Sequence, residues 1–332
     1  MQLTVLREQL NETIQAALPQ AHPRAELQTF YDLIRDYPER RGKQLRGIFV
    51  LLSCLMHGGK VGDALKPAAA LELFQNWVLV HDDIEDGSEE RRGQPALHRQ
   101  VGMPIALNVG DALHVYMWQC LFEVERNRDA ILTEFTHMIH RTAEGQHLDL
   151  SWVENGRFDI SEADYLEMVT LKTAFYTVVA PLRLGALCAG QTPDERFGQI
   201  GKDLGVAFQI RDDVLNVLEP EGTAYGKEFA GDLYEGKRTL ILAHLFSEAT
   251  SEERSLYTEI LTKPRIDKTK SDIEQLLAAV KRYQSIDYAQ GVAHNRARAG
   301  LALLDETTDA LPEQATVREL TGLLESLSKR HV

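Results

Sequence analysis

Cysteine is scarce in this chain: three among 332 residues, at positions 54, 120 and 188, each in apolar surroundings. Spacing that wide excludes a close-set zinc or disulfide framework and fits buried thiols in a reducing compartment. Long apolar runs are missing as well, and none reaches the roughly 18 residues of a membrane-spanning helix. The start, Met1-Gln2-Leu3-Thr4, soon becomes charged and is neither a secretory leader nor a myristoylation signal. Lys329-Arg330-His331-Val332 is not a prenylation box. The expectation is a cytoplasmic protein with no stable membrane anchor. Positive charge is in deficit, with 36 Lys+Arg against 50 Asp+Glu and a formal net charge of −14. General attraction to nucleic acid is thereby excluded, and a polyanionic substrate has to be met locally.

Two-residue alternation is also rare, whereas apolar residues recur at three- and four-residue spacing through most of the chain. The fold class expected is all-α, a large helical bundle. With no Gly/Ser/Pro linker, residues 1–332 are expected to form one domain. Helices are predicted over 47–56, 68–84, 105–124, 130–150, 162–188, 197–218 and 233–249. Pro181 is expected to kink its helix, while Pro19, Pro23, Pro38, Pro67, Pro193, Pro220 and Pro264 are expected at breaks. Asn155-Gly156 suits either a hairpin turn or a helix end.

Against this background stand two acidic clusters of one shape, Asp82-Asp83-Ile84-Glu85-Asp86 and Asp212-Asp213-Val214-Leu215-Asn216. At 100° per residue, positions i, i+1 and i+4 fall within an arc of roughly 100°, so each helix presents three oxygen ligands on one side. Like charges so close need a cation, and hard oxygens suit Mg²⁺. An acidic run at a helix end is often merely solvated, but Ala68 to Ile84 is apolar nearly all round and leads directly into the first cluster. Asn216 makes the second cluster one charge weaker.

Bases supply the other half of a diphosphate site. Gly42-Lys43 with Arg46 falls at a predicted helix start, where backbone N–H groups favour an anion. Arg91-Arg92 offers two forked guanidiniums just after the first aspartates. Lys172, Lys227 and Lys237 add point charges. Gly231 to Lys237 mimics a phosphate loop, but Arg238 replaces the required Ser/Thr and no strand is predicted before it. His81-Asp82 suggests a metal phosphohydrolase, yet further His ligands at suitable positions are not evident. His81 is expected to pack beside the site.

Five motifs in one order, GKQLR (42–46), HDDIED with RRGQPALH (81–86 and 91–98), LKT (171–173), FQIRDDVLN (208–216) and GKEFAGDLYEGKRT (226–239), resemble those of the trans-isoprenyl diphosphate synthases, or polyprenyl synthetases. The resemblance runs from about Gly42 to Thr239. It implies an all-α bundle around a deep central cavity and a homodimeric prenyltransferase that joins isopentenyl diphosphate to an allylic diphosphate head to tail. It further implies Mg²⁺, three ions with substrate bound, on Asp82, Asp86 and Asp212, supported by Asp83, Asp213 and Asn216. Arg91, Lys172, Lys227 and Lys237 are then the allylic diphosphate grip, and Gly42, Lys43, Arg46, Gln75 and Arg92 the isopentenyl diphosphate site. Thr173, Gln209 and the Lys172 backbone would stabilise the cation, and the released diphosphate would take the proton. By the same resemblance Trp77, followed by Val78, closes the product tunnel, which favours geranylgeranyl (C20) over farnesyl (C15) diphosphate. Competing readings are a terpene cyclase, which needs no isopentenyl diphosphate pocket and so no Lys43, Arg46 or Arg92, and a non-catalytic subunit of a heteromeric synthase.

Overall fold

The computed structural model describes residues 2–40, 42–218 and 229–328. Sixteen α-helices account for most of them, and among the described residues the sole sheet is a two-residue ladder. The first helices are α1 (Gln2–Ala17), α2 (Ala25–Glu39), α3 (Leu45–Met56) and α4 (Val61–Glu85). α3 buries ten of its twelve residues, among them Ile48, Phe49, Leu51 and Leu52, each apolar side chain contributing ~1.5–3 kcal/mol. It packs between α4 and the later α9 (Ala180–Cys188). α4 has apolar groups all round because it, too, has neighbours on every side. Pro67, expected at a break, lies inside this helix, and Pro38 lies in the last turn of α2.

After α4 comes a tight hairpin, β1 (Glu90–Arg91) paired antiparallel with β2 (Gln94–Pro95). Its two turn residues, Arg92 and Gly93, have φ of 55° and 73°, the double positive φ of a type I′ turn. The chain continues through α5 (Leu97–Val101), α6 (Met103–Phe122), which packs along α4, and α7 (Arg128–Glu154). α7 ends at Asn155, with Gly156 at φ 59°, so the Asn-Gly pair marks a helix end and no hairpin.

The predicted helix 162–188 is continuous but changes character. α8 (Glu162–Val169) opens with a reciprocal cap, Ser161 Oγ accepting from Asp164 N–H and Asp164 from Ser161 N–H. Thr170–Val179 then widens into a π-helical segment before α9. Pro181 stands at the start of α9, where its lost N–H is relieved by the wider segment preceding it. Gly145 of α7 meets this segment so closely that a Cβ would lie 2.1 Å from Lys172 N. The two backbones therefore touch at the residue that carries a site lysine.

α10 (Arg196–Val217) follows, then α11 (Gly231–Glu235), α12 (Leu240–Glu248), α13 (Ser251–Thr262), α14 (Lys270–Arg282), α15 (Ser285–Thr308) and α16 (Gln314–Ser328). The single helix predicted over 233–249 is thus two. Gly236, at φ 73°, ends α11, and Thr239 Oγ1 accepts the Leu242 N–H to start α12. Two apolar clusters fill the interior, one built mainly from α1–α4, α6 and α9, the other from α8 and α12–α15. α7, the π segment and α10 contribute to both.

Candidate active site

A cavity of about 560 Å³ opens at the C-terminal ends of α4 and α10. Of the residues anticipated from sequence, Gly42, Lys43, Arg46, Gln75, Val78, Asp82, Arg91, Arg92, Lys172, Thr173, Gln209, Asp212, Asp213 and Lys237 line it. Lys227 lies outside the described residues. Each acidic cluster occupies the last turns of its helix, where the carbonyl end of the helix dipole adds to the repulsion among carboxylates. Both walls therefore demand positive charge.

On the first wall that charge is already close. Lys172 Nζ lies 2.5 Å from Asp149 and 3.4 Å from Asp82, and Lys237 Nζ lies 2.6 Å from Asp86 and 3.1 Å from Glu235. Arg91 grips Asp83 through Nε (2.9 Å) and Nη2, with Asp82 at 3.7 Å. Burial alone would raise the Asp82 pKa, but Lys172, Lys237 and Arg91 hold it well below the usual carboxylate range. Burial pushes Asp86 up, with Asp82 adding to the effect and Lys237 opposing it. Lys172 is buried, which disfavours its charge, yet Asp149 and then Asp82 keep it protonated above the ordinary lysine range.

Asp83 departs from expectation. It is fully buried and does not line the cavity, and besides Arg91 it accepts from Tyr37 Oη at 2.6 Å. On the second wall Asp213 accepts from Tyr165 Oη at 2.6 Å and from Gln209 Nε2 at 2.8 Å, while Gln209 Oε1 accepts from Thr173 at 3.1 Å. The Asn216 amide oxygen accepts the Asp232 N–H at 3.0 Å and so pins the turn that carries Asp232 to the cavity wall. Asn216 itself faces a small recess at the rim.

Beside the walls lies a crowd of guanidiniums. Arg46, in the first turn of α3, donates to Gln75 Oε1 (2.5 Å) and Thr177 Oγ1 (2.9 Å), and its head stands 4.4 Å over the Tyr176 ring. Arg92 donates to Tyr37 O (2.6 Å) and Asn76 Oδ1 (3.2 Å). Gly42 leaves room for it, since a Cβ there would sit 2.9 Å from Arg92 Nη2. Burial lowers the Arg92 pKa, with Arg91, Arg46 and Arg40 adding to it and buried Glu72 opposing. Gln44 and Arg92, both at positive φ, hold this cluster on strained backbone, as functional sites often do.

Trp77 does not line the cavity. Gln75, Val78, Leu79 and Asp82 recur at helical spacing on that face, whereas Trp77 points to α6, stacked on His114 with centroids 4.2 Å apart and edge-on to Phe74 and His81. Residues that sequence reasoning missed include Asp149 and Gln146, which donates to Asp82 at 3.3 Å. Their i, i+3 spacing on one predicted helix face was a usable signal. Tyr37, Tyr165 and Glu72 carried none.

The donor set fits a hard divalent cation: Asp82 and Asp212 offer carboxylate oxygens to the cavity, whereas Asp86, expected beside them, does not line it and is held by Lys237 at 2.6 Å. Among the described residues no three acidic or histidine side chains are already gathered as one metal group. The walls supply donors from two sides of the cavity.

Comparison with known proteins shows the family. The family model for polyprenyl synthetase matches residues 27–280. A short chain isoprenyl diphosphate synthase of Methanothermobacter thermautotrophicus is 34% identical over 289 residues, covering 84% of this chain and 85% of its own. A geranylgeranyl diphosphate synthase of Methanosarcina mazei is 30% identical over 332 residues, covering 98% of each. The solved structure of a geranylgeranyl pyrophosphate synthase from Corynebacterium glutamicum, complexed with isoprenyl diphosphate and magnesium, superposes with a TM-score of 0.84 at 26% identity, over 99% of this chain and 98% of that one. With two carboxylate walls and a guanidinium cluster around one cavity, the chain belongs to the polyprenyl synthetase family and is a prenyltransferase of its short-chain type.

Proposed function

We propose that the cavity ionises an allylic diphosphate between its two aspartate walls and delivers the cation to isopentenyl diphosphate held by Lys43, Arg46, Gln75 and Arg92 beside Gly42. The observation that carries this is the adjacency of a carboxylate pair of walls and a like-charged guanidinium cluster in one cavity. A metal diphosphate beside a second diphosphate would meet the charge of both.

Asp82, Asp86 and Asp212 would hold Mg²⁺, three ions in all, which when bound supplies positive charge against the leaving diphosphate. Arg91, Lys172 and Lys237, with Lys227, take up the remaining negative charge as the C–O bond breaks. Lys172 is aimed for this by Asp149. Thr173 Oγ1 and the Gln209 amide, linked at 3.1 Å, set dipoles beside the allylic carbon. Asp83, Asp213 and Asn216 act behind the front line, by fixing helix ends and the α11 turn.

The product is proposed to be C20, with C15 as the runner-up. Val78 and Leu79 form the apolar lining before Asp82, and Trp77 backs it through Phe74, which meets the cavity-lining Tyr176 edge-on at 5.6 Å. A homodimer is supported by α6, where Met103, Leu107, Val115 and Phe122 are exposed and share one face. No helix among the described residues is long and apolar enough to cross a membrane, and the protein is taken as one cytoplasmic domain.

The test is incubation with Mg²⁺, isopentenyl diphosphate and each allylic starter in turn, with products weighed by mass spectrometry. Elongation to C20 is expected, and no elongation with any starter sinks the proposal. Trp77→Ala should lengthen the products by loosening the layer behind the lining, and an unchanged distribution removes Trp77 from chain-length control.

A further inference from the structure

Both walls share a device that the motifs do not contain. Tyr37 reaches Asp83 and Tyr165 reaches Asp213, each O–H···O contact 2.6 Å long and each phenol about 1% exposed. The tyrosines lie 46 and 48 residues before their partners, on α2 and α8, and belong to different apolar clusters. The same contact has been built twice, from separate parts of the chain.

The consequence follows from helix geometry. At 100° per residue, a fixed position 83 sets positions 82 and 86 roughly 100° and 60° round the same side of α4. A fixed position 213 does the same for 212 and 216 on α10. Holding the second aspartate therefore fixes the direction in which the first one points. A short hydrogen bond to a carboxylate is about twice as strong as a neutral one, so the phenol can hold the helix end against repulsion among its acids. Deleting the hydroxyl leaves a buried carboxylate one donor short: Asp83 is then free to turn toward the cavity, and Asp213, which already lines it, is free to rotate there.

We propose that Tyr37 and Tyr165 are positioning residues for the two metal walls: each fixes the second aspartate of its pair and thereby aims the first. The proposal rests on the reading of the cavity as a Mg²⁺ diphosphate site. Tyr37 adds one link of its own, because its hydroxyl also accepts the Leu97 N–H at 3.0 Å and its carbonyl accepts Arg92. It therefore joins the first wall to the guanidinium cluster.

The experiment compares full-length wild type, Tyr37→Phe and Tyr165→Phe. Mg²⁺ binding in the presence of inorganic diphosphate is measured by calorimetry, the Mg²⁺ dependence of turnover by steady-state kinetics, and folding by thermal melting. Each variant is expected to fold and to need roughly tenfold more Mg²⁺ for half-saturation in both assays, the size expected for one hydrogen bond to a charged group. KM for isopentenyl diphosphate should stay within about twofold, since the Tyr37 carbonyl that holds Arg92 is retained. Unchanged Mg²⁺ dependence in a folded variant, even with a lower melting temperature, overturns the assignment for that wall. If one variant does not fold, the other decides the case. Wild type that binds no Mg²⁺ with diphosphate overturns the functional reading itself, a result distinct from variants that merely match a competent wild type.

Discussion

The two aspartate walls have one sequence pattern and one tyrosine device, yet the partners described around them differ. Around Asp82, Asp83 and Asp86 the described partners include three cations, Lys172, Lys237 and Arg91, beside the neutral donors Tyr37 and Gln146. Around the second wall they are neutral donors, namely Tyr165, Gln209 and the N–H of Asp232 across from Asn216. The first wall is thus charged and paired; were its carboxylates to hold Mg²⁺, Lys172 and Lys237 would be left to face the diphosphate.

The largest effects should come from removing one direct donor on each side. Asp82→Ala and Asp212→Ala are each expected to lower kcat/KM by about 10³-fold or more, the several kcal/mol that a metal's charge supplies at a leaving group. Circular dichroism should remain helical. A loss under about tenfold for Asp212→Ala would remove the second wall from metal binding and break the comparison outright.

A smaller effect isolates the first wall. Asp149 holds Lys172 from the far side of Asp82, so Asp149→Asn should weaken the aim of the lysine without removing its charge. A misplaced group of this kind costs roughly 10²-fold. The loss should fall on the allylic substrate, with KM for isopentenyl diphosphate nearly unchanged. Equal damage to both substrates would mean that Asp149 supports the whole cavity and no single wall.

How far this asymmetry was legible in the sequence depends on the distance over which each contact acts. The aspartate walls, the arginine hairpin and the helix-start lysine are local patterns, and apolar periodicity placed their helices correctly. Tyr37 and Tyr165 were invisible, because a buried tyrosine in an amphipathic helix looks the same whether or not its hydroxyl meets a carboxylate some fifty positions away. Trp77 shows the opposite error. Resemblance put it at the tunnel, although a position five before Asp82 falls well off the aspartate face of the helix, and the packing on His114 follows the wheel. The break at Gly236 was readable from glycine chemistry but was overridden by the apolar run that follows it from Leu240. It matters, since this left-handed turn precedes Lys237, whose side chain reaches Asp86.

The finest test lies at Asn216, where the pattern is one charge short. Its amide oxygen holds the Asp232 N–H, and Asp232 lines the cavity, so the turn brings to the second wall a carboxylate that the motif lacks. Asn216→Leu should therefore cost about 1 kcal/mol of stability for the unmet N–H and raise the Mg²⁺ requirement by misplacing Asp232. Asn216→Asp keeps an acceptor for that N–H and adds a charge. Because ligand charge tunes cation affinity, it should lower the Mg²⁺ needed for half-maximal rate by about twofold to threefold, with melting temperature nearly unchanged. If Asn216→Asp instead raises the Mg²⁺ requirement, the new carboxylate is repelling Asp232. The amide is then what allows those two side chains to share one wall.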